Sequence, residues 1–465
     1  MIALFRLNDP YRLIFVLLAL IGLRIPFFME ELIPTVTAFR WMLIGEQLAG
    51  GDLLYKDVYD YIGPLSGLFF QGMDLLFGRS LSASLTVAAV VVFFQAIIFN
   101  NLLVTNKAYN ESTYVPAYCY VLFTSLHFDF LTLSPALLAL TFVLLALSNI
   151  FRRIDNQTKD ELFTGTGAYL GIASLFYLPC IVLFITFLII LVVYSNSLPR
   201  RLMLMTFSFF LILALSACYA YFIGAYGEYT NFYLYALWSI ERLNYFGDWR
   251  VIIILVLPVL LVLAGLLIVN LNGKYANFQL KFQQALLFLL AGGGLMMFVT
   301  VEKTYFSWIF IMPVVAFFTV HLLLLMKNVL YTELLNLAII VAVLLLRSYT
   351  YSWSLQNEQA YFVKEETPLI LEDRKLLVLG NDISAYRHAT TATPFVNWTI
   401  SEQLFRETGY YDNLIRLKTE LEKDTPGMIL DQAGIMESLF QKIPSLRNEF
   451  IAIPNYPGYY RSINN

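Results

Sequence analysis

Charge is what this chain is short of. Only 14% of its 465 residues are Asp, Glu, Lys or Arg, while 59% are hydrophobic; a soluble globular chain carries about a quarter charged residues. A soluble globular protein is therefore excluded. Cysteine is scarce too. Cys119, Cys180 and Cys218 each sit inside an apolar run, where a thiol is a small hydrophobic filler, so neither a disulfide framework nor a Cys-x-x-Cys metal site is available. With 30 Lys and Arg against 33 Asp and Glu, and no basic block, the chain is a poor match for nucleic acid. The apolar runs hold almost no ionisable residue in their interiors and show no inverted repeat, which argues against a transporter. No small-residue cleavage site follows the first run. Glu30-Glu31 comes next, so that run reads as a retained first helix rather than a removed signal peptide.

What the chain has in abundance is long apolar runs. A helix needs about 20 apolar residues to cross a hydrocarbon core of about 30 Å. About eleven runs qualify, near 11–28, 81–104, 114–128, 131–151, 162–178, 180–196, 202–225, 251–271, 284–301, 304–325 and 334–352. The fold class is a polytopic α-helical membrane protein. Arg6, Arg12, Lys107, Arg152, Arg153, Arg200, Arg201, Lys274, Lys281 and Lys327 all fall in alternate loops, and cytoplasmic loops carry the positive excess. The N-terminus is thus expected in the cytoplasm of a cell whose cytoplasmic (inner) membrane the chain spans. The outward set comprises the 29–80 loop, the 226–250 loop, the Glu302-Lys303 corner and everything after residue 353.

Two domains are expected: a membrane domain over 1–352 that includes the 29–80 loop, and an extracytoplasmic soluble domain over 353–465. In the second, KLLVLG (375–380) and PGMILD (426–431) suit buried strands, and SEQLFRETGYYDNLIRLKTELEKD (401–424) has helical spacing. EFIAIP with YYRSI adds an edge hairpin, making a small α/β unit. Within the first outward loop, ELIPTVTAFRWMLIGEQLAGG and LSGLFFQGMDLLFG read as helices lying in the interface.

That loop is where chemistry concentrates. Glu30 and Glu31 stand where the first helix leaves the membrane; partly desolvated carboxylates gain basicity, which suits a general base. Acids there also suit a plain outer helix end. Asp52, Tyr55, Lys56, Asp57, Tyr59, Asp60 and Pro64 combine acids and aromatics as sugar-handling sites do, although interfacial aromatics also serve as anchors. His127 and Asp129, in TSLHFDFLTLSP, have three readings: an acceptor entrance, a divalent ion shared with a first-loop acid, or a structural turn. Two residues do not make a metal site, and no other cofactor is implied. His321 reads as packing. His388 has no evident partner, and the sequon at Asn397 is assigned nothing.

The order RIPFFMEE, then a helix, then GDLLYKDVYDYIGPLSG, then LLFG resembles the start of the GT-C superfamily of membrane glycosyltransferases. The protein O-mannosyltransferases and the aminoarabinose transferase of lipid A modification belong to that superfamily. Its first outward loop bears an acidic pair, a G-x-x-x-Y-x-D segment and an acid before Pro-Pro-Leu. Glu30-Glu31, Gly51 through Tyr55 and Asp57, and Asp60 before Gly63-Pro64-Leu65 match these. The leading acid is Glu here, and Gly63-Pro64 stands for the double proline. EKTYFSWIFIMPVVAFF (302–318) is similar to the basic-x-Tyr segment that opens a late helix.

The resemblance implies transfer of a sugar from a polyprenyl-phosphate carrier to a lipid, glycan or protein acceptor at the outer face, with inversion. Glu31 or Glu30 would be the base, with Asp60 as the third catalytic acid and Asp57 and Tyr55 on the substrate. Lys303 and Tyr305 would face the donor phosphate, Arg242, Arg250 and Arg347 are further outward cations, and His127 lines the acceptor side. Phosphate is already a good leaving group, so orientation and charge balance suffice. The second reading, from another class, is a non-catalytic membrane subunit that docks an envelope protein partner through the soluble domain.

Overall fold

The computed structural model describes residues 2–463 apart from 30–31, 155–158, 195–198, 239–242, 245–247, 273–274, 358, 365–373, 393 and 455. In chain order the main helices are α1 (Arg12–Met29), α2 (Val36–Ala49), α3 (Pro64–Phe77), α4 (Leu81–Thr105), α5 (Val115–Phe123), α6 (Pro135–Ile154), α7 (Glu161–Phe176) and α8 (Ile181–Tyr194). Then come α9 (Pro199–Phe222), α10 (Asp248–Asn272), α11 (Asn277–Met296), α12 (Met312–Leu325), α13 (Val329–Asn357), α14 (Trp398–Arg406) and α15 (Tyr411–Lys423). The strands are β1 (Lys375–Leu379), β2 (Thr390–Thr391), β3 (Met428–Asp431), β4 (Phe450–Ala452) and β5 (Tyr459–Ser462). The chain divides into two compact units: residues 1–32, 81–218 and 237–358 form unit 1, and residues 33–80, 219–236 and 359–465 form unit 2. The sequence reading groups the first loop with the membrane helices, whereas the compact units group it with the C-terminal segment.

Unit 1 is the membrane part. Among the described residues, 6 helices are long and apolar enough to cross a bilayer, and a shorter apolar stretch covers Leu178–Tyr194. The run expected near 114–128 is not a span. Its helix, α5, has only 9 residues, all buried, about 14 Å at 1.5 Å per residue. Pro116 stands in its first turn, and the Asn100 side chain accepts from the Ala117 amide at 3.3 Å. Tyr118 donates to Asn336 at 2.9 Å and Tyr120 to Gln95 at 2.8 Å, so its polar side chains bond to the neighbouring helices α13 and α4. After α5 the backbone runs irregularly through 124–134, almost wholly buried. Non-helical backbone at membrane depth is tolerated only where protein covers it. Arg24 supplies part of that cover, donating to the carbonyls of Leu131 (3.0 Å) and Phe130 (3.5 Å). In α1, Pro26 cannot donate within the helix, and Arg347 donates to the Leu23 carbonyl in the same turn at 2.6 Å.

Unit 2 is built on a five-stranded sheet in the order β2-β1-β3-β5-β4. β1 pairs parallel with β2 and β3, while β5 runs antiparallel to β3 and β4. A largely parallel sheet must be covered on both faces, which is why KLLVL and MILD read as continuous apolar runs. Side chains alternate between faces along a strand. Leu377, Leu379 and Ile429 pack with Phe395, Trp398, Phe405 and Leu417. Leu376, Val378, Met428 and Leu430 pack with Val36, Phe39 and Leu43, which lie on α2. One cover of the sheet thus comes from the first loop. The expected single helix over 401–424 is two helices, broken around Gly409.

α2 itself is capped by Thr35, whose hydroxyl oxygen accepts from the Ala38 amide at 3.3 Å. It crosses α3 closely at Gly45, where a Cβ would stand 2.5 Å from the Phe70 carbonyl oxygen. Phe39→Ala is expected to destabilise unit 2 by about 3–5 kcal/mol, the usual cost of a buried Phe truncation. Hydrogen exchange should read this as lost protection at the amides of β1 and β3, with unit 1 amides unchanged.

Candidate functional site

Within unit 2 the loop acids are organised around one buried carboxylate. Asp60 is 1% exposed. Its Oδ1 accepts from the Ile62 amide at 2.7 Å, and its Oδ2 accepts from Asn397 Nδ2 at 2.7 Å and lies 3.1 Å from Arg40 Nε. Arg40 also donates to the Tyr61 hydroxyl at 2.8 Å and covers that ring. Tyr55 holds a left-handed backbone (φ 69°), a conformation that costs a non-glycine residue about 1–2 kcal/mol. It is secured by its amide to the Val58 carbonyl at 2.9 Å and by its hydroxyl to the Ile62 carbonyl at 2.7 Å. Tyr59 donates its amide to the Pro394 carbonyl at 3.0 Å and its hydroxyl to Glu420 at 3.2 Å, with the Arg416 guanidinium over its ring. The segment 226–236 closes on the same loop, with Tyr229 and Tyr233 against Tyr55 and Phe232 against Tyr59.

Electrostatics follow from these partners. Burial pushes the Asp57 carboxyl up, but hydrogen bonds from Lys423 and the Leu53 amide outweigh it and hold the group below the ordinary range. Asp52 has no such compensation. Burial and then the neighbouring Asp57 and Asp424 carboxylates push it up despite Lys375 and Lys423. Burial drives Tyr59 to about 12 in spite of Arg416. The sequence reading assigns Asp60 to catalysis and Asp57 and Tyr55 to substrate. In the structure these polar atoms are engaged inside unit 2. Arg40 and Lys423, which hold Asp60 and Asp57, carry no sequence motif that would have marked them, and the sequon at Asn397 does not point to its bond with Asp60.

In unit 1 a second set of residues converges. His127 is fully buried, and its Nδ1 accepts from the Asp129 amide at 3.2 Å. That assignment puts the ring proton on Nε2, which makes no hydrogen bond among the described residues. The His127 ring lies on Tyr305, centroids 4.3 Å apart. Tyr305 borders a narrow open crevice whose other walls include Ile254 on α10 and Trp353 on α13. The end of α1 packs into the same region. Phe27 lies edge-on to Tyr351 (5.6 Å) and under the Arg347 guanidinium (4.4 Å), and Phe128 meets Tyr351 at 5.4 Å. Glu302 and Lys303 form a two-residue parallel ladder with Leu243 and Asn244. Lys303 is half-buried. Glu30, Glu31 and Arg242 lie outside the described residues; Arg250 sits in the first turn of α10. No group of three His, Cys, Asp or Glu side chains converges among the described residues. Tyr349 to Ser354 were missed in the sequence, though RSYTYSWS (347–354) alternates rings and hydroxyls visibly.

Comparison with known proteins agrees on the fold. A model for a family of unknown function, DUF6427, matches residues 61–355. No curated protein sequence matches the chain. Among solved structures, ArnT from Cupriavidus metallidurans, bound to undecaprenyl phosphate, superposes with a TM-score of 0.56 at 11% identity, over 93% of this chain and 94% of that one. The Archaeoglobus fulgidus oligosaccharyltransferase tethered with an acceptor peptide gives 0.51 at 12% identity, over 98% and 74%. The same organism's AglB, in complex with an inhibitory peptide and a dolichol-phosphate, gives 0.50 at 12%, over 97% and 74%. The fold is that of the GT-C glycosyltransferases.

Two outcomes test the loop's electrostatics. Asp60→Ala leaves Arg40 buried without its carboxylate and is expected to cost about 3–5 kcal/mol, read as a lowered unfolding temperature of the purified protein; Asp60→Ala with Arg40→Met should recover part of it. Asp52 has a raised folded pKa, so the folded state binds more protons and stability falls as pH rises through the ordinary Asp value of about 3.9. Asp52→Asn is therefore expected to be the more stable protein at pH 7, with the advantage gone at pH 3.

Proposed function

The chain belongs to the DUF6427 family, and from that premise we propose that it is an integral membrane glycosyltransferase using a polyprenyl-phosphate-linked sugar. The observation that carries the reading is the convergence in unit 1. α1, which leads directly into Glu30-Glu31, packs beside Arg347 and the His127 turn, and the His127 ring lies on Tyr305. The GT-C fold supports it, as do the undecaprenyl phosphate bound by ArnT and the dolichol-phosphate bound with AglB. The site is taken to lie at the outer face of the cytoplasmic membrane, in a chain of about eleven helical runs that also carries a C-terminal extracytoplasmic α/β domain.

Glu31, or Glu30, takes the proton of an acceptor hydroxyl. The freed oxygen attacks the anomeric carbon in line, the bond from that carbon to the phosphate oxygen breaks, and the carrier phosphate leaves with inversion at the sugar. General-base assistance of this kind is worth about 10²–10⁴ in rate. Lys303, Tyr305, Arg242 and Arg250 are assigned to the phosphate, whose departing charge they balance. His127 offers an Nε2–H donor beside Tyr305. Asp60, Asp57 and Tyr55 act by holding the loop's shape, since their polar atoms already have partners.

The test is transfer of radiolabelled sugar from polyprenyl-phosphate donors in membranes, comparing wild type with Glu30→Gln and Glu31→Gln at matched expression. One variant is expected to lose at least a hundredfold in rate while unit 2 keeps its stability. Full activity in both variants removes the base from this loop. No transfer by the wild type, together with a protein partner retained by unit 2, would favour the non-catalytic subunit.

A further inference from the structure

Four arginines gather at one end of unit 1. Arg152 and Arg153 fall in the last turn of α6, and Arg200 and Arg201 in the first turn of α9. Phe163, in the first turn of α7, joins the two pairs: the Arg153 guanidinium lies 5.8 Å from its ring centroid and the Arg201 guanidinium 5.7 Å. Close packing of α7 on α9 fixes that setting. Ser208 donates to the Thr164 carbonyl at 2.7 Å, and a side chain at Gly167 would run into the Met205 carbonyl. Orientation in a membrane asks only that positive charge lie on the cytoplasmic side. It does not ask separate helices to bring their guanidiniums to one ring.

The charge gathered there is only partly answered. Arg201 donates to Asp160 at 2.9 Å through Nε; that is its one hydrogen bond among the described residues, so its Nη groups stay open. Arg152 and Arg200 are exposed and have no ion pair among the described residues. Like charges held this near repel, and an anion brought among them turns repulsion into attraction. The planar guanidinium fork fits phosphate in particular. α9 supplies the second half of the ligand. One turn beyond Arg200 it begins an exposed apolar ridge at Met203, Phe207, Phe210 and Leu211, positions that share a helix face, and only 11% of its apolar window is buried. A free phosphate or a nucleotide would use the cations and leave this ridge unused. A phospholipid uses both. We infer that the corner of α6, α7 and α9 binds an anionic phospholipid of the cytoplasmic leaflet, with its phosphate on Arg152, Arg200 and Arg201 and its acyl chains along the α9 ridge. Basic sites at the cytoplasmic ends of membrane helices suit such head groups. The site depends on the cytoplasmic placement expected for these loops and needs no glycosyl transfer.

Lipid binding to the purified full chain in detergent, read by native mass spectrometry, tests it. The probes are phosphatidylglycerol, phosphatidylcholine with the same acyl chains, and soluble glycerol 3-phosphate. The wild type is expected to bind phosphatidylglycerol at least about tenfold more tightly than phosphatidylcholine. Arg152→Gln with Arg200→Gln, both at exposed positions, should remove most of that preference while phosphatidylcholine affinity stays within about twofold, which also reports an intact fold. Lys107→Gln with Lys327→Gln deletes two charges of the same loop set elsewhere and should leave the preference in place. Equal affinity of the wild type for the two lipids overturns the inference. So does an equal loss in the lysine variant, which would assign the preference to overall charge. Glycerol 3-phosphate bound as tightly as phosphatidylglycerol would make the ligand a soluble phosphate and overturn it as well.

Discussion

A carboxylate that is 1% exposed cannot exist without partners, and the way Asp60 obtains them organises unit 2. Arg40 reaches it from α2, Asn397 from the residue that precedes α14, and the Ile62 amide from its own loop. The three partners come from segments that are hundreds of residues apart at the extremes, so the acid can be buried only when all are in place. Removing water from an ion pair is expensive unless geometry and further hydrogen bonds compensate. Here they do, and the loop conformation follows: the left-handed Tyr55, the Tyr59 amide on Pro394, and the tilted and edge-on contacts of the Tyr59 ring with Phe232 and Phe395.

The two units use the same device. In unit 1 Arg24 and Arg347 are the largest fully buried side chains, and both spend guanidinium donors on backbone carbonyls. Arg24 serves the irregular segment after α5 and Arg347 serves the turn of α1 that contains Pro26. In hydrocarbon an unsatisfied carbonyl has no water to turn to. Such donors let irregular backbone after α5 and the Pro26 turn of α1 sit in an apolar interior beside His127.

Much of this architecture was legible in the residues, because hydropathy reports directly on burial. A helix lies within each expected apolar run, and the KLLVL and MILD strands lie where their continuous apolar pattern put them. What hydropathy does not report is length adequate to cross: α5 is as apolar as its neighbours but stops at Phe123, where the Thr124 and Ser125 hydroxyls turn back onto the Tyr120 and Val121 carbonyls of the helix and the His127 ring takes the Asp129 amide. Nor does it report which distant segment covers a sheet. Val36, Phe39 and Leu43 have the spacing of any amphipathic helix, and nothing local distinguishes a lipid surface from β1 and β3 as their destination. At the site, acids and aromatics in the loop were conspicuous by type, whereas their roles depended on Asn397 and Lys423, ordinary residues whose meaning is wholly tertiary.

The cover that α2 lays on the sheet also sets an order of events. Residues 36–43 are synthesised more than 300 positions before the strands they cover, so the interval between making the helix and burying it includes the insertion of most of unit 1. During that time Val36, Phe39 and Leu43 present an unsatisfied apolar stripe. Closing such a long loop is slow compared with local helix formation. Maturation of unit 2 is thus a late, single step that waits for the last strand. A chain stalled before it would look, to proteases and chaperones, like an unfolded protein.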